Sequence, residues 1–260
     1  MLTATDITFR AGARVLLDGI SAEFEAGRLH LIIGPNGAGK STLIKVLSRL
    51  LLPHRGSVRY GDADAQSWSD RELARHRAVL SQAIEVAFPI PVSELIMMGR
   101  YPHFRGRPSA IDDQICDEVM RYFDVVEFSE RSYSTLSGGE QQRVNFARVL
   151  TQIWRPIEGF HRYLFLDEPL TFLDIRHQIE FMKKVKEFAH QPDVVVIGVV
   201  HDLNLAAKFA DRLLLLDDGR ILADGSIRDV LTVEHIQTAF QITPLLVTDA
   251  ASRSVHISFD

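Results

Sequence analysis

The 260-residue sequence contains a single cysteine, Cys116, so no disulfide can form within the chain. It also lacks a long apolar run: stretches such as Val194–Val200 fall well short of the roughly 20 residues that a membrane-spanning helix needs. The first residues show neither the basic nor the apolar segment of a signal peptide. An excess of positive charge is missing too, since the net charge is −5, which disfavours a nucleic-acid partner. We therefore expect a cytoplasmic protein that does not bind nucleic acid.

Apolar segments make up much of the chain, and their spacing predicts an α/β fold. Leu2–Phe9 and Val15–Phe24 are expected to form an antiparallel layer at the amino end. Continuous apolar runs further along predict buried parallel strands, with an amphipathic helix at Ile175–Phe188. These strands are expected at Leu29–Ile33, Tyr163–Leu166, Val194–Val200 and Leu213–Leu216. Asp217-Asp218-Gly219 predicts a hairpin turn after the last of them.

A glycine-rich loop follows the strand at Leu29–Ile33 and precedes apolar residues at helical spacing. It matches the phosphate-binding pattern G-x-x-x-x-G-K-[ST]. The residues are Gly34, Pro35, Asn36, Gly37, Ala38, Gly39, Lys40 and Ser41, followed by Thr42. Backbone N–H groups of such a loop surround phosphates, and the amino end of the following helix favours negative charge. Lys40 is expected to contact the β- and γ-phosphates, Ser41 to bind Mg²⁺, and Thr42 to help bind phosphate.

Two adjacent carboxylates, Asp167 and Glu168, end the apolar strand at Tyr163–Leu166. Side chains alternate along a strand, so the two carboxylates point in different directions and can have different roles. Asp167 suits Mg²⁺ through its water shell, as in a Walker B strand. Glu168 suits a general base that polarises the water attacking the γ-phosphate.

The segment Leu136–Val144 reads LSGGEQQRV and resembles the signature motif of the ABC ATPase family. Ser137 can cap a helix, and Gly138 and Gly139 would expose N–H groups at its amino end, forming a second anion site with Glu140 nearby. The two anion sites lie far apart in the sequence. A two-fold homodimer would bring the Ser137 loop of one subunit to the γ-phosphate held by Lys40 of the other.

The resemblance covers essentially the whole chain and implies roles for three further residues. Gln82 matches the glutamine that contacts Mg²⁺ and the attacking water, His201 the histidine that contacts the γ-phosphate, and Asp174 the D-loop aspartate at the dimer interface. The implied fold is a single ABC ATPase domain over residues 1–260. It comprises a RecA-like core at 1–82 and 151–260, with an antiparallel β-layer and an inserted helical subdomain at 83–150.

Two segments resemble importers of iron-siderophores, vitamin B12 and haem. Met98–His103 is similar to a segment of their ATPases, and Trp154–Arg162 resembles an extra connection in the haem importers. The resemblance implies two transmembrane permease subunits, an indirect periplasmic binding protein and a place at the cytoplasmic side of the bacterial inner membrane. Permease docking is expected around Val92–Tyr101, including Arg100. Siderophore or vitamin B12 import, and a non-transport ABC ATPase, are the alternatives.

The residue that covers the adenine ring is left open by the sequence. Many relatives have a tyrosine where this chain has Ala11. Phe9, Arg14 or Val15 could cover the ring instead.

Overall fold

The computed structural model describes residues 1–81, 88–171, 173–248 and 255–259. Its helices carry the labels α1 to α9 and its strands β1 to β12, in chain order. The helices are α1 Lys40–Leu47, α2 Asp70–His76, α3 Val92–Met97, α4 Ala110–Tyr122, α5 Gly138–Ile153, α6 Ile175–Ala189, α7 Leu203–Phe209, α8 Ile227–Val230 and α9 Val233–Phe240. None of these helices combines the length and apolarity that crossing a bilayer requires.

The strands form three sheets within the described ranges. They are β1 Leu2–Ala11, β2 Arg14–Phe24, β3 Arg28–Ile33, β4 Arg55–Tyr60, β5 Ala63–Asp64, β6 Arg77–Leu80, β7 Arg162–Asp167, β8 Val194–Val199, β9 Arg212–Asp217, β10 Arg220–Gly225, β11 Pro244–Thr248 and β12 Val255–Phe259. The first sheet is antiparallel with the order β2-β1-β4-β5. The second has the order β10-β9-β3-β8-β7-β6, and its strands are parallel except for β10. The third pairs β11 with β12.

The central sheet separates two hydrophobic clusters, and alternation along its strands explains how. In β3, Leu29, Leu31 and Ile33 join one cluster while Ile32 joins the other. Strands β7 and β8 divide in the same way. Because both faces of these strands are buried, their sequences read as continuous apolar runs. The predicted parallel strands and the amino-terminal antiparallel layer are therefore confirmed.

Helices α3, α4 and α5 lie in the part of the chain expected to form the helical subdomain. Their apolar side chains, including Val119 and Phe146, belong to the same cluster as Leu29 and Leu31 of β3. Helix α5 runs to Ile153, slightly beyond the expected boundary at residue 150. The division into core and helical subdomain stays a prediction.

The turn between β9 and β10 has the conformation expected from Asp218-Gly219. Asp218 and Gly219 have φ of 41° and 75°, as a two-residue hairpin requires. The hairpin of β11 and β12 was not predicted. It is fixed by Asn204 of α7, whose side chain donates to Ile257 O at 2.9 Å and accepts from Ile257 N at 2.8 Å.

Candidate functional site

The predicted phosphate loop lies between β3 and α1 and needs glycine at two positions for different reasons. Gly34 has φ of 148°, and a Cβ there would lie 2.1 Å from Leu216 O. Gly39 has φ of 100° and caps α1, and a Cβ there would lie 2.6 Å from Leu16 O. Any larger residue would displace the neighbouring backbone. The loop is therefore held closely against β2 and β9, with the amino end of α1 directed at its centre.

Lys40 extends across the loop from the start of α1. Its Nζ donates to Gly34 O and Pro35 O, each at 2.8 Å. The side chain is 5% exposed, and burial lowers its pKa, opposed by the negative charges of Glu168 and Asp167. The amine is thus centred among the backbone groups that would surround a phosphate.

The next residue connects the loop to the strand that ends in two carboxylates. Ser41 Oγ donates to Asp167 Oδ1 at 2.8 Å. Asp167 is buried, and desolvation raises its pKa. The hydrogen bond from Ser41 lowers this pKa, whereas the negative charge of Glu168 raises it further. A hydroxyl and a carboxylate at this distance are hard oxygen donors of the kind that Mg²⁺ prefers. The pair therefore fits the ion that the sequence predicts.

Glu168 and His201 face each other across the same edge of the central sheet. They follow β7 and β8, which are parallel neighbours, so their positions meet beside the loop that follows β3. His201 Nε2 lies 2.8 Å from Glu168 Oε1. Glu168 has φ of 53°, a left-handed conformation that is uncommon for a residue with a Cβ.

These groups line one cleft with a volume of about 220 Å³. Its lining within the described residues is Arg14, Leu16, Asn36, Gly37, Gly39, Lys40, Ser41, Thr42, Glu168 and His201. The sequence anticipated the loop, Glu168 and His201 as neighbours. It offered Arg14 as one of three candidates to cover the base, and it missed Leu16. Period-two alternation along β2 could have identified Leu16, because it lies on the same face as Arg14.

Phe9 is engaged elsewhere. Its ring packs edge-on against His54 with centroids 5.2 Å apart, on the antiparallel sheet. Among the candidates for covering adenine, Arg14 is the one that borders the cleft.

The signature segment forms the amino end of α5. Ser137 Oγ accepts from Glu140 N at 3.4 Å, and Glu140 Oε2 accepts from Ser137 N at 2.7 Å, a reciprocal capping box. Ser137 and Gly138 are exposed, and Gly139 is partly so. None of the three is among the described residues that line the cleft. The predicted second anion site thus faces outward from the chain, and its use by another subunit stays a prediction.

Two other predicted site residues have different outcomes. Asp174 caps α6, accepting from His177 N and facing His177 Nδ1, both at 2.9 Å, and its side chain is exposed. It therefore lies on the surface, and its role at a dimer interface stays a prediction. Gln82 lies outside the described residues.

In the expected docking stretch only Glu94 and Tyr101 are exposed, and the interpretation of Arg100 needs a correction. Arg100 is only 5% exposed: its Nε donates to Asp112 Oδ1 at 3.0 Å and its guanidinium to Thr151 O at 2.6 Å. The sequence interpretation of Arg100 as a surface charge is wrong, because Asp112 compensates the buried cation. Tyr101, in contrast, is 58% exposed.

A phosphate loop, a Ser–Asp pair, a Glu–His pair and an outward-facing signature helix define a nucleotide-binding protein of the ABC type. The family description "ABC transporter" matches residues 17–171, more than half of the chain. The chain belongs to the ABC transporter family, and its fold is the ABC ATPase fold.

Two relatives carry the same name. The chain is 46% identical over 247 residues to the Hemin import ATP-binding protein HmuV of Gloeobacter violaceus, covering 95% of this chain and 90% of the relative. It is 39% identical over 260 residues to the protein of that name from Escherichia coli O157:H7, covering all of both.

Solved structures resemble the chain in fold. An inward-facing metal-chelate type ABC transporter matches with a TM-score of 0.82 at 22% identity, covering 100% of this chain and 96% of that chain. The dimeric structure of a bacterial ABC transporter cassette matches with a TM-score of 0.75 at 24% identity, covering 88% and 99%.

Proposed function

We propose that this chain is the ATP-binding and ATP-hydrolysing subunit of a bacterial importer for haem. The observation that carries the hydrolytic part is the convergence of Lys40, Ser41–Asp167 and Glu168–His201 at one edge of the sheet. Haem as cargo is supported by the names of the two relatives, which cover nearly the whole chain. The extra connection Trp154–Arg162 agrees with this cargo.

In this function the phosphate loop and Lys40 bind the β- and γ-phosphates of ATP. Ser41 and Asp167 would hold Mg²⁺, with Gln82 expected to complete its contacts, and the bound ion would supply positive charge against the phosphate oxygens. Thr42 adds a hydroxyl at the same helix end. Catalysis then depends on position and charge rather than on covalent chemistry by the protein.

Glu168 acts as the general base. Its carboxylate accepts a proton from the water whose oxygen attacks the γ-phosphorus, while the bond to the departing ADP oxygen breaks. His201 holds the carboxylate at 2.8 Å through Nε2 and borders the same cleft, so it can also reach the γ-phosphate.

The working unit is a homodimer with two permease subunits, bound at the cytoplasmic side of the bacterial inner membrane. Ser137, Gly138, Gly139 and Glu140 of one subunit, with Asp174 beside the interface, close on the nucleotide of the other. The outward-facing capping box supports this arrangement, because its exposed N–H groups suit the γ-phosphate of a partner. A periplasmic binding protein delivers cargo without touching this chain.

The cargo is tested with the complete transporter reconstituted in vesicles together with its binding protein. We expect ATPase activity to rise when the binding protein is loaded with haem, and not with a ferric siderophore or cobalamin, because only the matched cargo favours the closed state. Stimulation by a siderophore alone would overturn haem and leave the ATPase assignment standing. The non-transport alternative would be favoured by two results together: ATPase activity of the chain without permeases or membrane, and failure of permeases to co-purify with it.

Tyr101 is expected to contact the permease. Truncating a tyrosine that is a binding hot spot costs about 2 kcal/mol or more, so Tyr101→Ala should weaken permease binding by about thirtyfold. Co-purification of tagged permease measures this, with the ATPase of the isolated subunit as a check on folding. Val126, 48% exposed on the same helical part of the chain, provides the control Val126→Ala. Equal permease recovery with both variants would place the docking surface elsewhere.

A further inference from the structure

The turn that begins with Glu168 has a strained backbone. Glu168 adopts φ of 53°, and the next residue is Pro169, whose ring fixes its own φ and removes a backbone donor. Conformations of this kind persist only where the surroundings hold them, and they concentrate at functional sites. The direction of the Glu168 carboxylate therefore depends on what holds the Glu168–Thr171 turn.

Among the residues that the structure describes, three side chains hold this turn through main-chain carbonyls. Thr171 Oγ1 donates to Glu168 O at 3.1 Å, from within the turn. Gln178 of α6 donates to Leu170 O at 3.4 Å and also to Leu173 O at 3.1 Å. Gln142 of α5 donates from Nε2 to Pro169 O at 2.7 Å, the shortest of these bonds. Gln142 is the member of this set that lies on the helix capped by Ser137.

One side of the turn borders a second cavity, of about 220 Å³. Its lining runs from Glu168 to Thr171 on one wall and includes Val200, His201 and Leu205 on the other. Packing by the described residues therefore does not fix the turn from that side. Hydrogen bonds to its carbonyls have a correspondingly larger share in setting its position.

We propose that Gln142 is a positioning residue that ties the orientation of α5 to that of the catalytic base. Gln142 lies little more than one helical turn from Ser137, so a rotation of α5 moves Ser137 and Gln142 together. In the dimer, Ser137 binds the nucleotide of the other subunit. Gln142 thus lets Glu168 of one site respond to nucleotide bound at the other. This inference rests on the proposed function.

The test is the steady-state ATPase of the complete transporter with Gln142→Met, which keeps side-chain length and removes the donor. We expect kcat to fall by about tenfold, near 1.4 kcal/mol of activation free energy. The KM for ATP should change by less than about twofold, because the phosphate loop is untouched. The Hill coefficient for ATP should fall toward unity, since each site would no longer sense the other.

The matched control is Gln152→Met on the same helix. Gln152 Nε2 also donates to main-chain carbonyls, Ala74 O at 2.6 Å and Arg77 O at 2.8 Å, but these lie away from the Glu168 turn. We expect it to lower the thermal midpoint as much as Gln142→Met or more while leaving kcat and the Hill coefficient near wild type. A loss of kcat of equal size in both variants would show that Gln142 has only a structural role.

A second variant separates positioning from packing. In Gln142→Glu a carboxylate faces Pro169 O and repels it, whereas the protonated acid can donate to it. The ratio of its kcat to that of wild type should therefore rise as the pH is lowered toward the pKa of the introduced glutamate, which partial burial beside the Pro169 carbonyl raises above its ordinary value of about 4.3. A ratio independent of pH, with unchanged cooperativity in Gln142→Met, would overturn the inference. If wild type itself failed to hydrolyse ATP, the proposed function would fail instead.

Discussion

Glu168→Gln is expected to lower ATP hydrolysis by at least about a hundredfold while ATP binding stays intact, because general-base catalysis contributes about 10²–10⁴. The amide keeps the size of the carboxylate but cannot accept the proton of the attacking water. The phosphate loop, Lys40 and the Ser41–Asp167 pair are unchanged. ATP should therefore hold the dimer closed, which gel filtration with and without ATP would detect.

Two further variants serve as comparisons for Glu168→Gln. Lys40→Ala should lose ATP binding itself, since the amine between Gly34 O and Pro35 O is the cation placed for the phosphates. Glu180→Gln removes an exposed carboxylate that pairs with Arg176 on α6 and should keep wild-type turnover. Near-normal turnover in Glu168→Gln would refute the assignment of Glu168 as the base.

Local patterns predicted the parts of the site that depend on short stretches of chain. The loop between β3 and α1 is specified by its own glycines and by the buried strand before it. Asp167 and Glu168 end an apolar strand, and His201 follows another. Because carboxyl ends of parallel strands meet at one edge, the order of the motifs was enough to bring these residues together.

Contacts between distant parts of the chain were not predictable in this way. Gln142 donates to Pro169 O across 27 positions, and Asn204 fixes the β11–β12 hairpin across 53. Neither residue type signals its partner in the sequence. The burial of Arg100 was not predictable for the same reason. Arginine is usually exposed, and Arg100 can be buried because the folded chain places Asp112 beside it.

The extra connection between α5 and β7 contains both a local turn and contacts between residues distant in sequence. Gly159, with φ of 78°, makes a turn in the left-handed conformation that glycine adopts readily. The two ends of the connection, however, are anchored. The Trp154 ring stacks parallel to Phe188 at 6.2 Å between centroids, and its Nε1 donates to Glu118 Oε2 at 2.9 Å. At the other end Arg162 is fully buried.

Arg162→Met is expected to lower the free energy of unfolding by about 3 kcal/mol, because it leaves the partly buried Asp193 without its ion-pair partner and removes the donor to two main-chain carbonyls. Arg162 donates from Nε to Asp193 Oδ2 at 2.6 Å, and its other nitrogens bond Gln191 Oε1, Ile153 O and Trp154 O. For a chain of this size the thermal midpoint should fall by about 10 °C. Arg155→Met, which removes a half-exposed pair with Glu118, should change stability by about 1 kcal/mol or less.

The pH dependence of the Arg162→Met loss identifies its cause. Burial raises the pKa of Asp193, but the hydrogen bond and charge of Arg162 outweigh it and hold the pKa below its ordinary value. The pair therefore stabilises wild type above the unfolded pKa of about 4 and loses that contribution as the pH falls below it. In the variant burial is opposed only by the backbone hydrogen bond of Asp193 and the nearby charge of His161, so the pKa of Asp193 rises and protonation relieves the unpaired charge. The difference in thermal midpoint between wild type and Arg162→Met should thus shrink between about pH 7.5 and pH 4.5. Adding Asp193→Asn to Arg162→Met should restore part of the lost thermal midpoint at neutral pH. If the difference were independent of pH and the second substitution did not reduce it, the effect would come from packing of Arg162 against Phe188 instead.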